Sequence, residues 1–313
     1  MYRIRFHGRG GQGIKTASRI LGSAFFAEGF EVQDAPRYGA ERRGAPIFAY
    51  VRADREPIYE RGVIERPDLV VVIDETLLPL PAAGVLAGIS EHTVLLLNAR
   101  QMPVLDGATR PGHIVLMPEL GEVAARGGLP LIAAACAGAA ARLTGVVSGA
   151  AVRQAVTEEL AALSDEVVTH NLELALSAYH HLDEYTGIVR PAQTVPIGSL
   201  EPPHWVELPR TDLRHAVPAI LQGGTSLLAR TGLWRTERPV IDPALCKRCW
   251  WICTTFCPDG VIDVSAQGMP QIDYEHCKGC LVCLAQCPSH AIQAVLERDA
   301  VQAPPQGEAS CAS

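Results

Sequence analysis

The sequence predicts an α/β domain with a mostly parallel sheet, followed by a small α+β domain organised around cysteines. Three observations carry that prediction. Apolar strand-like runs alternate with helical periods through residues 3–185; a glycine-rich turn joins the first strand to the first helix; and nine of the ten cysteines fall in residues 239–313. With 313 residues, 48% hydrophobic and 19% charged, the chain has length for about two domains and enough apolar material to exclude disorder throughout.

In chain order, Arg3 to Gly8 reads as a strand, Ile14 to Glu28 as a helix, and Phe30 to Asp34 as a strand. Ile47 to Arg52 is strand-like, and Leu69 to Asp74 (LVVVID) and Thr93 to Leu97 read as buried strands. Short, continuously apolar strands between helices predict a sheet with helices on both faces. Ala124 to Thr144, Ala150 to Leu163 and Glu166 to Tyr185 then read as helices. The domains divide as 1–189, a polar, proline-containing linker or wrapping arm over 190–238, and 239–313.

Charge and hydropathy narrow the function. The net charge of −7 argues against a nucleic-acid surface. The longest apolar stretch, Leu129 to Ala141, falls short of the roughly 20 residues of a membrane span. The N-terminus turns glycine-rich before an export signal can form, so a cytoplasmic location is expected. The tail holds four basic residues against eight acidic ones, a charge of −4, and the remainder carries −3.

The tail contains two cysteine runs, Cys246, Cys249, Cys253, Cys257 before Pro258 and Cys277, Cys280, Cys283, Cys287 before Pro288. The second has the C-x2-C-x2-C-x3-C-P spacing of iron-sulfur ligands, whose fourth cysteine ligates another cluster in two-cluster proteins. The runs are an internal repeat. A shift of 31 maps Asp242 onto Asp273 and Cys246 onto Cys277, and a shift of 30 maps Cys253 onto Cys283 and Cys257 onto Cys287. One extra residue therefore sits within Trp250-Trp251-Ile252. Zinc sites also use C-x2-C pairs, but do not require a third cysteine and a Cys-Pro in each copy. Disulfides are disfavoured by the expected compartment. Cys136 reads as a small buried hydrophobe and Cys311 as unliganded.

Across residues 239–295 the tail resembles the bacterial two-cluster ferredoxins. The resemblance implies two [4Fe-4S] clusters with crossed ligation: Cys246, Cys249, Cys253 and Cys287 on one, and Cys277, Cys280, Cys283 and Cys257 on the other. Trp250 and Trp251 are expected to shield a cluster or dock a partner.

Between the first strand and helix stands His7-Gly8-Arg9-Gly10-Gly11-Gln12-Gly13. Glycines at 8, 10, 11 and 13 permit a sharp turn and expose N–H groups at a helix N-terminus, where an anion can bind. Gly8, Gly10 and Gly13 also satisfy G-x-G-x-x-G, with Asp34 placed 21 residues beyond Gly13, so a dinucleotide site is arithmetically open. So is a tight turn without ligand. Arg37 to Pro46 (RYGAERRGAP) and Glu56-Pro57-Ile58 follow.

GRGGQG, YGAERRGAP and EPI together resemble the gamma subunit of the 2-oxoacid:ferredoxin oxidoreductases, the pyruvate:ferredoxin oxidoreductase family, over residues 3–180. In that family a two-cluster delta subunit accompanies gamma, and this chain reads as both, fused in that order. The resemblance implies a Rossmann-like gamma domain in an enzyme that oxidatively decarboxylates a 2-oxoacid. Thiamine diphosphate and magnesium would sit on alpha and beta partner subunits, coenzyme A at an interface, and an external ferredoxin would accept the electrons. This chain shows no Gly-Asp-Gly of the thiamine-binding type and no catalytic acid, base or nucleophile. Arg42 and Arg43 would pair with an anionic group such as a coenzyme A phosphate, or form salt bridges. His7 reads as a packed strand-end histidine, and His180 and His181 as surface residues. The competing function is a free-standing electron-transfer adaptor whose α/β domain binds a nucleotide.

Overall fold

The computed structural model describes residues 1–36, 44–105, 110–118, 125–126, 129–130, 132–192 and 230–300. Its first unit is built outward from β1 (Tyr2–Arg9), in which all eight residues are buried. Period-two alternation gives β1 two unlike faces: Ile4 and Phe6 point to one side, and Arg3, Arg5, His7 and Arg9 to the other. α1 (Ile14–Ala27) follows the glycine turn. β2 (Glu31–Pro36), β3 (Pro46–Asp54), β4 (Leu69–Val72), β5 (Val94–Leu97) and β6 (His113–Leu116) complete a six-stranded sheet in the order β2-β3-β1-β4-β5-β6. β3 runs antiparallel to both of its neighbours, so five strands share one direction. The register at mid-sheet sets Phe6 between Ala49 and Val71, with Leu96 and Val115 beyond.

Two-residue strands β7 (Ala125–Arg126) and β8 (Leu129–Pro130) precede three helices: α2 (Ala133–Thr144), α3 (Gly149–Glu159) and α4 (Asp165–His181). The helix predicted from Ala124 thus begins at Ala133, because Pro130 inside it would lose a donor and clash with the preceding turn. α1 and α2 lie against the Ile4/Phe6 face, α3 and α4 pack on those two helices, and all four share one core with the sheet. α2 is alanine-rich because it is buried all round, and at Gly138 a Cβ would lie 2.2 Å from the Ala175 carbonyl oxygen of α4.

The other face departs from the expectation of helices on both sides. Val70, Val72, Leu95 and Leu97 are covered by the 3-10 turns Glu75–Leu77 and Pro81–Ala83 and the chain up to Ile89. The arginines of β1 explain the difference. Arg5 donates to the carbonyls of Val85 (2.9 Å), Ala87 (2.7 Å) and Ile64 (3.3 Å), and Arg3 and Arg52 grip Glu60. Loops present free carbonyls to a buried guanidinium, whereas a helix has already used its own.

The second unit opens with β9 (Glu237–Ile241), which pairs antiparallel with β12 (Ile292–Leu296). Between them lie α5 (Ile252–Thr255), the hairpin of β10 (Ile262–Val264) and β11 (Pro270–Ile272), and α6 (Val282–Ala285); α7 (Glu297–Ala300) follows. Its small core mixes Cys253, Cys283 and Cys287 with Ile262, Ala291 and Ile292. Most of the predicted arm, residues 193–229, lies outside the described residues. The 3-10 turn Thr231–Trp234 rests on the first unit: a Cβ on Gly44 would stand 1.9 Å from the Trp234 oxygen, and Arg9 donates to the Leu233 carbonyl.

Candidate metal centres

The two cysteine runs fold as near copies. Asp242 and Asp273 each start a run, accepting from Ala244 N (2.8 Å) and Glu275 N (2.9 Å) through their side chains. Their carbonyls accept from Cys246 N and Cys277 N. Left-handed residues recur at matching points: Arg248 (φ 51°) with Gly279 (φ 69°), Trp251 (φ 49°) with Leu281 (φ 60°), and His290 (φ 51°) with Gly260 (φ 63°). The residue without a counterpart is Trp250 (φ 52°), which is 89% exposed and is the insertion in the first run. It leaves the helix entry intact, since Trp251 and Leu281 hold the same position before α5 and α6.

This repeat brings the cysteines together across the runs. Cys246, Cys249, Cys253 and Cys287 line one recess, with Ile241, Trp251, Pro270 and Ile292 as apolar walls. Cys257, Cys277, Cys280 and Cys283 line another, flanked by Val261, Ile262 and Leu281. All eight are free cysteines. Burial pushes the thiols of Cys253, Cys277 and Cys283 up, the last to about 11, with neighbouring thiols adding. Burial also raises Cys287, but the Ser289 hydroxyl and the Ala291 amide (3.3 Å) outweigh it and hold the thiol low. The three raised thiols ionise readily only against a positive centre, and four thiolates within apolar walls suit iron and sulfide. Among the described residues, no three His, Cys, Asp or Glu side chains converge tightly enough to hold a single metal ion.

The second recess is backed by a residue that sequence reasoning missed. Arg235, 3% exposed, donates through Nη1 to the carbonyls of Tyr274 (2.8 Å) and Cys277 (2.7 Å). Its Nε and Nη2 form a fork on Glu297 (2.6 and 2.9 Å), which Arg238 also grips (2.6 and 3.2 Å). Gly279 lies against the arginine stem, where a Cβ would come 2.6 Å from Cγ. Lys278 pairs with Asp259 at 2.8 Å on the same side.

The glycine turn is closed by its own contacts. Gly10 N donates to Ala45 O, Gly44 N to Gly10 O, and Arg9 N to the Gln12 side-chain oxygen. Gln12 in turn donates to Asp74 (3.1 Å), which also pairs with Arg9 (3.1 Å). A Cβ on Gly8 would strike Ile14 Cδ1 at 2.2 Å, and one on Gly13 (φ 79°) would meet Ala133 at 2.9 Å. These two glycines therefore admit neighbouring side chains, and Gly11 (φ 103°) turns the chain. The strand order departs from the simplest dinucleotide-binding arrangement, since β3 separates β2 from β1, and Asp34 of β2 packs beside Gly22 of α1. Arg42 and Arg43 lie outside the described residues. His7 is buried beside Phe48; His180 and His181 end α4 with exposed side chains.

Two four-cysteine recesses in a small repeat, joined to an α/β domain, define an iron-sulfur protein of the electron-carrying class. More particularly, the chain belongs to the pyruvate ferredoxin/flavodoxin oxidoreductase family, which matches residues 3–181, and residues 238–288 match the 4Fe-4S dicluster domain. The pyruvate/ketoisovalerate oxidoreductases common subunit gamma of Thermococcus kodakarensis is 42% identical over 161 residues, 50% of this chain and 86% of the relative. Its Pyrococcus furiosus counterpart is 36% identical over 188 residues, 59% of this chain and 99% of the relative. The crystal structure of pyruvate oxidoreductase subunit PORC from Thermotoga maritima, 32% identical, covers 57% of this chain and 95% of its own, with a TM-score of 0.43.

Proposed function

We propose that this chain joins the gamma subunit and the electron relay of a thiamine-diphosphate-dependent 2-oxoacid:ferredoxin oxidoreductase. One observation carries the relay: each recess takes three sulfurs from one run and the fourth from the other. Cys246, Cys249, Cys253 and Cys287 hold one [4Fe-4S] cluster, and Cys257, Cys277, Cys280 and Cys283 the other. When bound, these clusters supply one-electron redox chemistry. The chain's own residues do the remainder. The cysteines supply ligands on short, repeat-related loops, and Trp251, Ile241 and Ile292 limit water at the first recess. The gamma-type domain supports the alpha and beta subunits that hold thiamine diphosphate and magnesium, and an external ferredoxin receives the electrons.

No catalytic acid or base is assigned to this chain. The glycine turn, Gly8 to Gly13, belongs to the rim of the coenzyme A region, with Arg42 and Arg43 directly preceding Gly44, whose amide donates to Gly10 O. Support for that assignment is the match of guanidinium to phosphate and the junction formed at Gly44 and Trp234. The complex works in the cytoplasm.

The test is anaerobic purification of the tagged chain from its native cell. The eluate is assayed for thiamine-dependent dye reduction by a panel of 2-oxoacids, with and without coenzyme A. Reduction by at least one acid is the expected result. A chain that emerges alone, brown and inactive with every acid overturns the subunit assignment.

A further inference from the structure

The two recesses are unequal in their surroundings. Around the first, the nearby cations Lys247 and Arg248 are exposed. Behind the second stands Arg235, whose guanidinium is screened from water and bonded to the carbonyl of a cluster-binding residue, Cys277. Its counter-charge is shared. Glu297 answers both Arg235 and Arg238, so the triad carries a net charge of +1. Arg235 is also the member bonded to the ligand loop, with two of its five donors on Glu297 and Nη1 on the loop carbonyls. The loop accommodates it. Gly279 occupies the position that Arg248 fills in the first run, and a side chain at 279 would collide with the Arg235 stem.

A buried cation interacts strongly with charge added nearby, because little water intervenes. Reduction of a [4Fe-4S] cluster adds one electron and no ligand, so its cost falls where positive charge is fixed beside it. We propose that Arg235 is a tuning residue: it raises the reduction potential of the cluster at Cys257, Cys277, Cys280 and Cys283 above that of the cluster at Cys246, Cys249, Cys253 and Cys287. The second cluster is then the one that fills first. The inference rests on the two-cluster reading given above.

The experiment uses the full complex, purified anaerobically, with redox titration followed by electron paramagnetic resonance. The signal altered by Cys280→Ser marks the second cluster. Arg235→Gln should lower that cluster's midpoint enough to shift its reduced-to-oxidised ratio about tenfold, about 59 mV for one electron. Glu297→Gln should move the same midpoint upward, and Arg235→Lys should keep the ratio within about twofold of wild type. A purely structural role would move both substitutions in one direction or shift both clusters together. Either pattern, or no shift, overturns the proposal. Iron and sulfide analysis comes first: wild-type chain with only one cluster sinks the two-cluster reading itself, whereas two clusters with an unmoved midpoint sink only the role of Arg235. Should Arg235→Gln fail to load clusters, the upward shift in Glu297→Gln and the rescue by lysine still decide.

Discussion

Arg9, the last residue of β1, donates through its guanidinium to the backbone carbonyl of Leu233, 224 residues further along the chain. The same side chain bonds Asp74, the Gly44 carbonyl and Thr76 (2.6 Å), and it is almost wholly buried. One guanidinium thereby ties the glycine turn to the segment that leads into the cysteine domain. α7 touches the Glu75–Leu77 turn beside it, so the two units meet at the carboxyl end of β1.

Arg9→Met keeps much of the stem and removes the charge, leaving the Gly44 and Leu233 carbonyls short of a donor. Asp74 keeps Gln12 and Thr76 as partners, which moderates the loss. The expected destabilisation is about 3 kcal/mol, the low end for breaking a buried ion pair. Urea unfolding followed by circular dichroism measures it. A change below about 1 kcal/mol would show that the junction does not depend on this contact.

Gly138→Ala tests the α2–α4 contact. In an isolated helix the change gains about 1 kcal/mol from propensity. Here the new methyl group would stand 2.2 Å from the Ala175 carbonyl oxygen, backbone that yields only if the helices part. Overpacking costs about 1–3 kcal/mol and is expected to win. A raised thermal midpoint in the variant would contradict the observed approach.

His7 makes stability depend on pH. Burial, with the Arg5 charge adding, brings its pKa down to about 3 despite a weak opposing pull from the Ala83 backbone. The unfolded chain takes up a proton below about 6.5 that the folded chain refuses, so stability falls as pH drops from about 6.5 toward 3. Between pH 6.5 and 5.5 this group alone should remove about 1 kcal/mol. His7→Leu should lose that much less than wild type over the same step, in parallel urea titrations. Equal losses would mean the folded imidazole gains its proton as easily as the unfolded one.

These predictions fall where the sequence is least transparent. The iron-sulfur character of residues 246–288 is legible because ligand spacing is local chemistry, written in eight cysteines and two prolines. The parallel strands at 69–72 and 94–97 are legible as unbroken apolar runs. By contrast, the alternation of Arg3, Arg5, His7 and Arg9 with Ile4 and Phe6 has the pattern of a half-exposed strand. Arg3 and Arg5 are buried only because a distant loop brings Glu60 and backbone carbonyls to them. The insertion of β3 between β1 and β2 is likewise a long-range pairing that periodicity does not encode. Arg235 stands 42 residues from the cysteine carbonyl it bonds, outside both ligand motifs. The extra residue in the first run is visible as one of three, and only the left-handed backbone singles out Trp250.

Crossed ligation gives the sharpest test of the cysteine domain. If each run held its own cluster, Cys287→Ser would damage the same centre as Cys277→Ser. The recesses instead group Cys287 with Cys246, Cys249 and Cys253, and group Cys257 with the second run. Cys287→Ser should therefore reproduce the spectrum of Cys246→Ser, and Cys257→Ser that of Cys277→Ser, each losing or altering one of two paramagnetic signals. Serine can keep a weakened ligand, so the informative quantity is which signal changes, read at about half or more of wild-type iron. Ala291 N, just before β12, donates to the Cys287 sulfur at 3.3 Å. Pairing of Cys287→Ser with Cys277→Ser would refute the crossing, and the pseudo-symmetric repeat would then have to bind its clusters run by run.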